Sequence, residues 1–192
     1  MKVIAINGSP NKNGNTSALI KHVLEELKME GIETEIIQLG GTTVMGCKAC
    51  MSCFKTKNRK CIQGQDLINH CIQKMTEADG IILGSPVYFA NMTTELKGLI
   101  DRAGMVSLAN GSLLKRKVGA AVVAVRRAGA VHVFNSINHL FTISQMIIPG
   151  STYWNMGFGM GPGEVENDKE GLKTMSILGK NIAWLLHALN GK

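Results

Sequence analysis

Four of the five cysteines fall within fifteen consecutive residues, Cys47-Lys-Ala-Cys50-Met-Ser-Cys53-Phe-Lys-Thr-Lys-Asn-Arg-Lys-Cys61, with the spacing C-x2-C-x2-C-x7-C. Thiolates two residues apart can converge on one small object, and a fourth can complete the set from a short loop. Such a run suits a [4Fe–4S] cluster, which is held by four cysteine thiolates. Structural zinc sites more often pair two ligand knuckles across a longer spacer, and disulfide frameworks belong to small secreted domains. Zinc or a cysteine-rich loop that holds no metal stays open beside the cluster. The fifth cysteine, Cys71, lies in a helical stretch and reads as a small buried hydrophobe.

The same window holds Lys48, Lys55, Lys57, Arg59 and Lys60, with no acid between Cys47 and Cys61. These residues form either a solvated surface or a set of charges that offsets a thiolate-bound cluster. They could also attract an acidic electron-transfer partner or a phosphorylated cofactor.

A second group opens the chain. Gly8-Ser9-Pro10-Asn11-Lys12-Asn13-Gly14-Asn15-Thr16-Ser17 follows an apolar run and precedes a helical pattern. Strand, turn-rich loop and helix N-terminus form an arrangement that binds phosphate through free backbone N–H groups and the helix dipole. The Walker pattern fails because Gly14 is followed by Asn15-Thr16, and G-x-G-x-x-G is missing. A loop of Ser, Thr and Asn remains, suited to a terminal phosphomonoester. Helix capping by Thr16 or Ser17 is the plainer alternative.

A third group, Ser85-Pro86-Val87-Tyr88-Phe89-Ala90-Asn91-Met92, follows another apolar run and carries one of the two tyrosines. Its aromatic pair and free backbone groups suit the flat face and polar edge of a planar heteroaromatic ring. An aromatic pair in a turn is as often core.

The elements that must position these groups alternate strand and helix. Lys2–Asn7, Gly80–Gly84 and Val118–Val125 are apolar without alternation, as strands of a parallel sheet covered on both faces are. Glu33–Leu39 alternates and is expected near an edge, and Met146–Ile148 is expected to be a short fifth strand. Helices are expected at Ser17–Met29, Gln65–Ala78, Thr93–Gly104, Val131–Gln145 and Lys169–Leu189. The pattern predicts an α/β fold, a doubly wound five-stranded parallel sheet of order 2-1-3-4-5. Ligands then sit beyond the carboxyl ends of strands 1 and 3, where the winding reverses. The loop after strand 2, which carries the cysteines, emerges at that same rim.

Residues 1–192 read as a single domain with a cysteine-rich loop at 46–62. Hydrophobic residues make up 45% and charged residues 18%, ordinary for a globular protein. The net charge is +7, but the basic residues are scattered and no nucleic-acid recognition motif accompanies them. No apolar stretch approaches a membrane span, and no export signal is read, so a reducing cytoplasm is expected. His132 and His139, on one face of a helix, are expected to serve the core or the surface rather than catalysis.

Gly8-Ser9-Pro10 with Gly14-Asn15-Thr16, Ser85-Pro86-Val87-Tyr88-Phe89 and Leu96-Lys97-Gly98-Leu99-Ile100-Asp101-Arg102 together resemble the NADPH-dependent FMN reductase family of flavodoxin-like proteins. With the cysteine motif, the chain is most similar to the iron–sulfur flavoproteins. The resemblance implies FMN, a [4Fe–4S] cluster on Cys47, Cys50, Cys53 and Cys61, and a homodimer or homotetramer. It implies that Ser9, Asn11, Asn15, Thr16 and Ser17 hold the FMN phosphate. Pro86, Val87, Tyr88, Phe89, Asn91 and Met92 would line the ring. Arg126 stands in the third flavin loop, where paired arginines depart from the Gly-rich pattern of related reductases.

Three classes of function follow. The chain is a flavoenzyme that oxidises NAD(P)H, an electron carrier for a ferredoxin-like partner, or a zinc-holding binding protein with a vestigial crevice. No general base is assigned, because a flavin carries its own reactivity. The glycine-rich loop Gly150–Gly163, with Tyr153, Trp154 and Phe158, is expected near the active site or an oligomer interface.

Overall fold

The computed structural model describes residues 1–191. Five strands, β1 (Lys2–Asn7), β2 (Glu33–Gln38), β3 (Gly80–Pro86), β4 (Val118–Val125) and β5 (Met156–Phe158), form one sheet. Its order is β2-β1-β3-β4-β5, and every pairing is parallel. The helices are α1 (Asn15–Met29), α2 (Ser52–Thr56), α3 (Ile68–Glu77), α4 (Thr94–Ala109), α5 (Ala130–Ile143) and α6 (Lys169–Asn190), with a 3-10 turn at Glu164–Asn167.

Continuous apolar strands bury both faces, and the period of two decides which side chain meets which helix. Val3 and Ala5 of β1, Ile82 of β3 and Val122 of β4 pack with Leu19 and Val23 of α1 and Leu178 and Ile182 of α6. Their neighbours Ile4, Ile6, Leu83 and Val123 turn the other way, onto Met75 of α3, Leu99 of α4 and Ile137 of α5. At the edge, β2 has only Ile37 buried, as its alternation predicts.

The fifth strand is not where its apolar run suggests. Met146-Ile147-Ile148 makes only a single bridge, Val118 to Ile147. The chain then leaves the sheet and returns as Met156–Phe158 beside Val123–Val125. Pro149 and Gly150 stop the first segment. Gly157 permits the second, because a Cβ there would lie 2.7 Å from both Leu19 Cδ2 and Val165 Cγ2. The glycine-rich stretch therefore contains a strand and is not wholly loop.

Candidate functional site

All five strands end at one rim, and side-chain bonds lock the loops leaving it. Asn7 and Gln38 are register partners at the ends of β1 and β2. Asn7 Nδ2 donates to Gln38 Oε1 at 2.8 Å, and Gln38 Nε2 donates to the carbonyls of Ser9 and Gly40, each at 2.7 Å. A Cβ at Gly40 would lie 2.3 Å from the Gly8 carbonyl oxygen, so only glycine lets the two loops approach this closely. On the other side, Thr93 Oγ1 donates to the Gly8 carbonyl at 2.8 Å, and Thr93 N–H donates to Ser85 Oγ at 3.1 Å. The loops after β1, β2 and β3 are thus tied into one wall.

Within the first loop, Ser9 Oγ accepts from Asn11 N–H at 3.2 Å, while Asn11 itself is exposed. Helix α1 starts without a side-chain cap and has no acid in its first turn. The N–H groups of its first turn are therefore free to face an anion. Thr16 Oγ1 is buried there and has no hydrogen-bond partner among the described residues, although burying a hydroxyl without a partner is costly. Ser17 is buried next to it in the chain. An uncapped helix start with an orphaned buried hydroxyl fits a phosphate, so the capping alternative fails. Asn15 departs from the expectation in its side chain. Its Nδ2 donates to the Gly161 carbonyl at 2.9 Å and its Oδ1 accepts from Val165 N–H at 3.3 Å, which ties α1 to the loop after β5.

The loop after β3 is a tight hairpin. Tyr88 and Asn91 exchange both backbone bonds, at 2.8 and 3.1 Å. Phe89 (φ 42) and Ala90 (φ 67) at its tip are both left-handed, a conformation that non-glycine residues adopt only at a cost. Phe89 is fully exposed, Tyr88 is half exposed and Met92 is buried, so the aromatic pair is not core. The loop after β4 abuts this hairpin, since a Cβ at Gly129 would lie 3.0 Å from Val87 Cγ1. Arg126 and Arg127 on that loop are exposed.

Cys47, Cys50, Cys53 and Cys61 all line one small cavity of about 20 Å³, room for little more than a water molecule. Among the described residues, no three His, Cys, Asp or Glu side chains stand close enough to hold a metal ion. The four thiols are the donor set a thiolate-held cluster needs, but the cavity they line is too small for one, so the loop must rearrange to admit it. Its backbone is unusual: Ala49, Met51, Lys57 and Arg59 are all left-handed. Turns of that kind aim N–H groups at anions and recur at iron–sulfur sites. The Cys50 thiol is held below its ordinary value by hydrogen bonds from the Ser52 side chain and backbone, with Lys48 adding attraction. Lys48, Lys55, Lys57, Arg59 and Lys60 are exposed.

A groove of about 660 Å³ between α4 and α5 is lined at one end by Cys47 and Ala49 and elsewhere by Asn91 and Met92. The cysteine loop and the hairpin after β3 therefore share a wall. A second cavity of about 480 Å³ lies against Arg127, Gly129, Tyr153, Trp154 and Phe158.

Three residues that shape the cysteine loop were not legible as site residues in the sequence. Asn69 clasps Cys61 at two points, accepting from its N–H at 2.8 Å and donating to its carbonyl at 2.9 Å. Arg102 and Asp66 form a buried ion pair beneath the loop. One signal existed: Arg102 occupies a position on the apolar stripe of α4, between Leu99 and Val106, where a charge needs a reason.

Comparison with known proteins agrees with this geometry. The model of the NADPH-dependent FMN reductase family matches residues 1–161. An iron-sulfur flavoprotein of Methanocaldococcus jannaschii is 40% identical over 190 residues, covering 95% of this chain and 96% of that protein. An iron-sulfur flavoprotein of Methanosarcina thermophila is 34% identical over 191 residues, covering 98% and 97%. The solved structure of a flavodoxin from the domain Archaea superposes with a TM-score of 0.62 at 16% identity, covering 97% of this chain and 99% of that one. That last likeness establishes the fold alone.

Proposed function

Because the chain belongs to the NADPH-dependent FMN reductase family, we propose that it is an FMN-binding oxidoreductase that also carries a [4Fe–4S] cluster on Cys47, Cys50, Cys53 and Cys61. The parallel sheet brings the loop after β1 and the cysteine loop after β2 out at one rim, which supports a shared site. The observation that carries the flavin reading is the orphaned Thr16 hydroxyl at an uncapped helix start. Ser9, Thr16, Ser17 and the first N–H groups of α1 hold the phosphate, with Asn11 at the mouth of the loop. Asn15 contributes its backbone and fixes the neighbouring loop with its side chain. Pro86, Val87, Tyr88, Phe89, Asn91 and Met92 offer the ring a flat apolar edge and backbone polar groups, with Arg126 at its far side.

FMN supplies two-electron chemistry with a nicotinamide and one-electron exchange with a cluster. The residues bind, orient and shield. Asn91 and Met92 share a groove with Cys47, which supports direct exchange between the two centres. The names of the relatives support the cluster, as do the left-handed turns of the cysteine loop. NAD(P)H or a low-potential ferredoxin-like protein is the electron donor.

A flavin reductase without a cluster is the second reading, favoured by thiols that surround a cavity too small for a cluster. The deciding experiment is a visible spectrum with iron, sulfide and flavin analysis of anaerobically purified protein. About four irons and one FMN per chain are expected. Yellow, iron-free protein that takes up no iron on reconstitution leaves the second reading, and colourless protein overturns both. Rapid bleaching of the flavin by NADPH identifies a nicotinamide oxidase. Reduction by a low-potential protein donor alone identifies a carrier.

A further inference from the structure

Arg102 is 0% exposed, on the apolar face of α4. A buried guanidinium is tolerated only where its donors are met. Here Nε donates to Cys61 Sγ at 3.3 Å and Nη1 donates to the Met45 carbonyl at 3.0 Å. Nη1 also bonds the Asp66 carboxylate, and Nη2 bonds the Gln63 carbonyl. These partners lie on both arms of the cysteine loop: Met45 enters it, while Cys61, Gln63 and Asp66 leave it. Asp66 returns to the same arms, accepting from the N–H groups of Met45 and Ile68, each at 3.2 Å. Two buried side chains thus close the neck of a loop whose own backbone is left-handed at four non-glycine positions.

An ion pair kept for stability alone could be replaced by apolar side chains without loss. What such a replacement could not reproduce is the N–H aimed at the Cys61 sulfur. A cationic donor favours a charged acceptor over a neutral one, and hydrogen bonds to ligand sulfurs help set cluster potentials. The geometry points to Arg102 as a positioning residue with two roles: it preassembles the cysteine loop, and it raises the reduction potential of a cluster held there. The inference rests on the cluster assignment above. Reduction adds one electron and no proton to the cluster, and the Nε–H bond to Cys61 Sγ, which the neutral double variant lacks, strengthens as the sulfur gains negative charge.

One double variant tests it. Arg102→Met combined with Asp66→Asn removes both charges, so neither is left buried alone. In cluster-free protein, amide hydrogen exchange of peptides covering residues 45–68 should quicken at least tenfold in the double variant, while peptides from β1 and α1 stay unchanged. Unchanged exchange at 45–68 overturns the preassembly role. After anaerobic reconstitution, titration with dithionite followed by paramagnetic resonance should show the double variant's cluster at least tenfold harder to reduce, about 59 mV for one electron. An unchanged potential overturns the tuning role. If the unmodified protein takes up no iron, the cluster assignment itself has failed, and the exchange measurement still decides whether Arg102 holds the loop.

Discussion

The Thr93 hydroxyl donates to the Gly8 carbonyl at 2.8 Å, joining loops 85 residues apart in sequence. Both groups are buried, and the bond sets the spacing between the loop proposed for phosphate and the loop proposed for the flavin ring. Thr93→Val keeps the shape and strands the carbonyl. The flavin-free protein should lose about 1–3 kcal/mol of stability, read from its urea midpoint, and release FMN faster. An unchanged midpoint would show that the bond is dispensable.

Thr16 should behave in the opposite way. Its hydroxyl is buried without a partner among the described residues, so Thr16→Val should leave the flavin-free protein as stable as before, or more so. FMN binding should weaken by about 1.5–3 kcal/mol, the value of a hydrogen bond to a charged group, or roughly ten- to a hundredfold in Kd. Thr16→Glu should empty the site by charge repulsion. Paired urea and fluorescence titrations separate the two effects, and full FMN content in Thr16→Glu would refute the placement.

Cys50→Ala should abolish bound iron and sulfide and leave FMN in place, because the loop proposed for phosphate is a separate element tied through Gln38 and Thr93, not through the cysteines. Elemental analysis and flavin release on the same sample check both halves.

Cys71 should stay inert. Its side chain is 0% exposed, and burial pushes its thiol up to about 12. A thiol with so high a value is neutral at pH 8, and the thiolate is the nucleophile. Iodoacetamide on folded, cluster-free protein at pH 8 should therefore label four cysteines and spare Cys71 until denaturant is added. Labelling of Cys71 at the rate of Cys47 would contradict this environment.

A homodimer or homotetramer is expected, with the groove between α4 and α5 as its contact. Leu108 and Ile143, lining that groove, are 62% and 83% exposed, and Phe89 stands fully exposed at the rim. Sedimentation at micromolar concentration should show no monomer, and Ile143→Asp should produce one.

The sequence revealed what is local. The loop proposed for phosphate, the hairpin Tyr88–Asn91 and the four cysteines are contiguous runs whose residue types suggest their chemistry. The sheet order followed from apolar runs alternating with helical periods. Two kinds of feature were hidden. Arg102 finds its partners 36 to 57 residues away, so nothing beside it in the chain announces a clamp. Asn15 looked like a phosphate ligand because it sits in the right loop, yet its amide bonds Gly161 and Val165, near the other end of the chain. The fifth strand was misplaced for a related reason. Met146-Ile147-Ile148 has the better strand composition, but Met156–Phe158 has the fit against Leu19 and Val165.

That interrupted fifth strand governs how copies of the chain can meet. An open sheet with a long, flat edge invites a neighbouring chain to add a strand. At one border this sheet offers three residues, Met156–Phe158, with the chain displaced from the plane just before them. At the other, β2 presents Glu33 and Glu35, which pair with Lys2 and Lys74. Charged side chains mark one margin and brevity the other, both of which disfavour intermolecular β-pairing. Association is left to helix faces, and a destabilised form of this fold should precipitate through its exposed apolar side chains before it grows ordered fibrils.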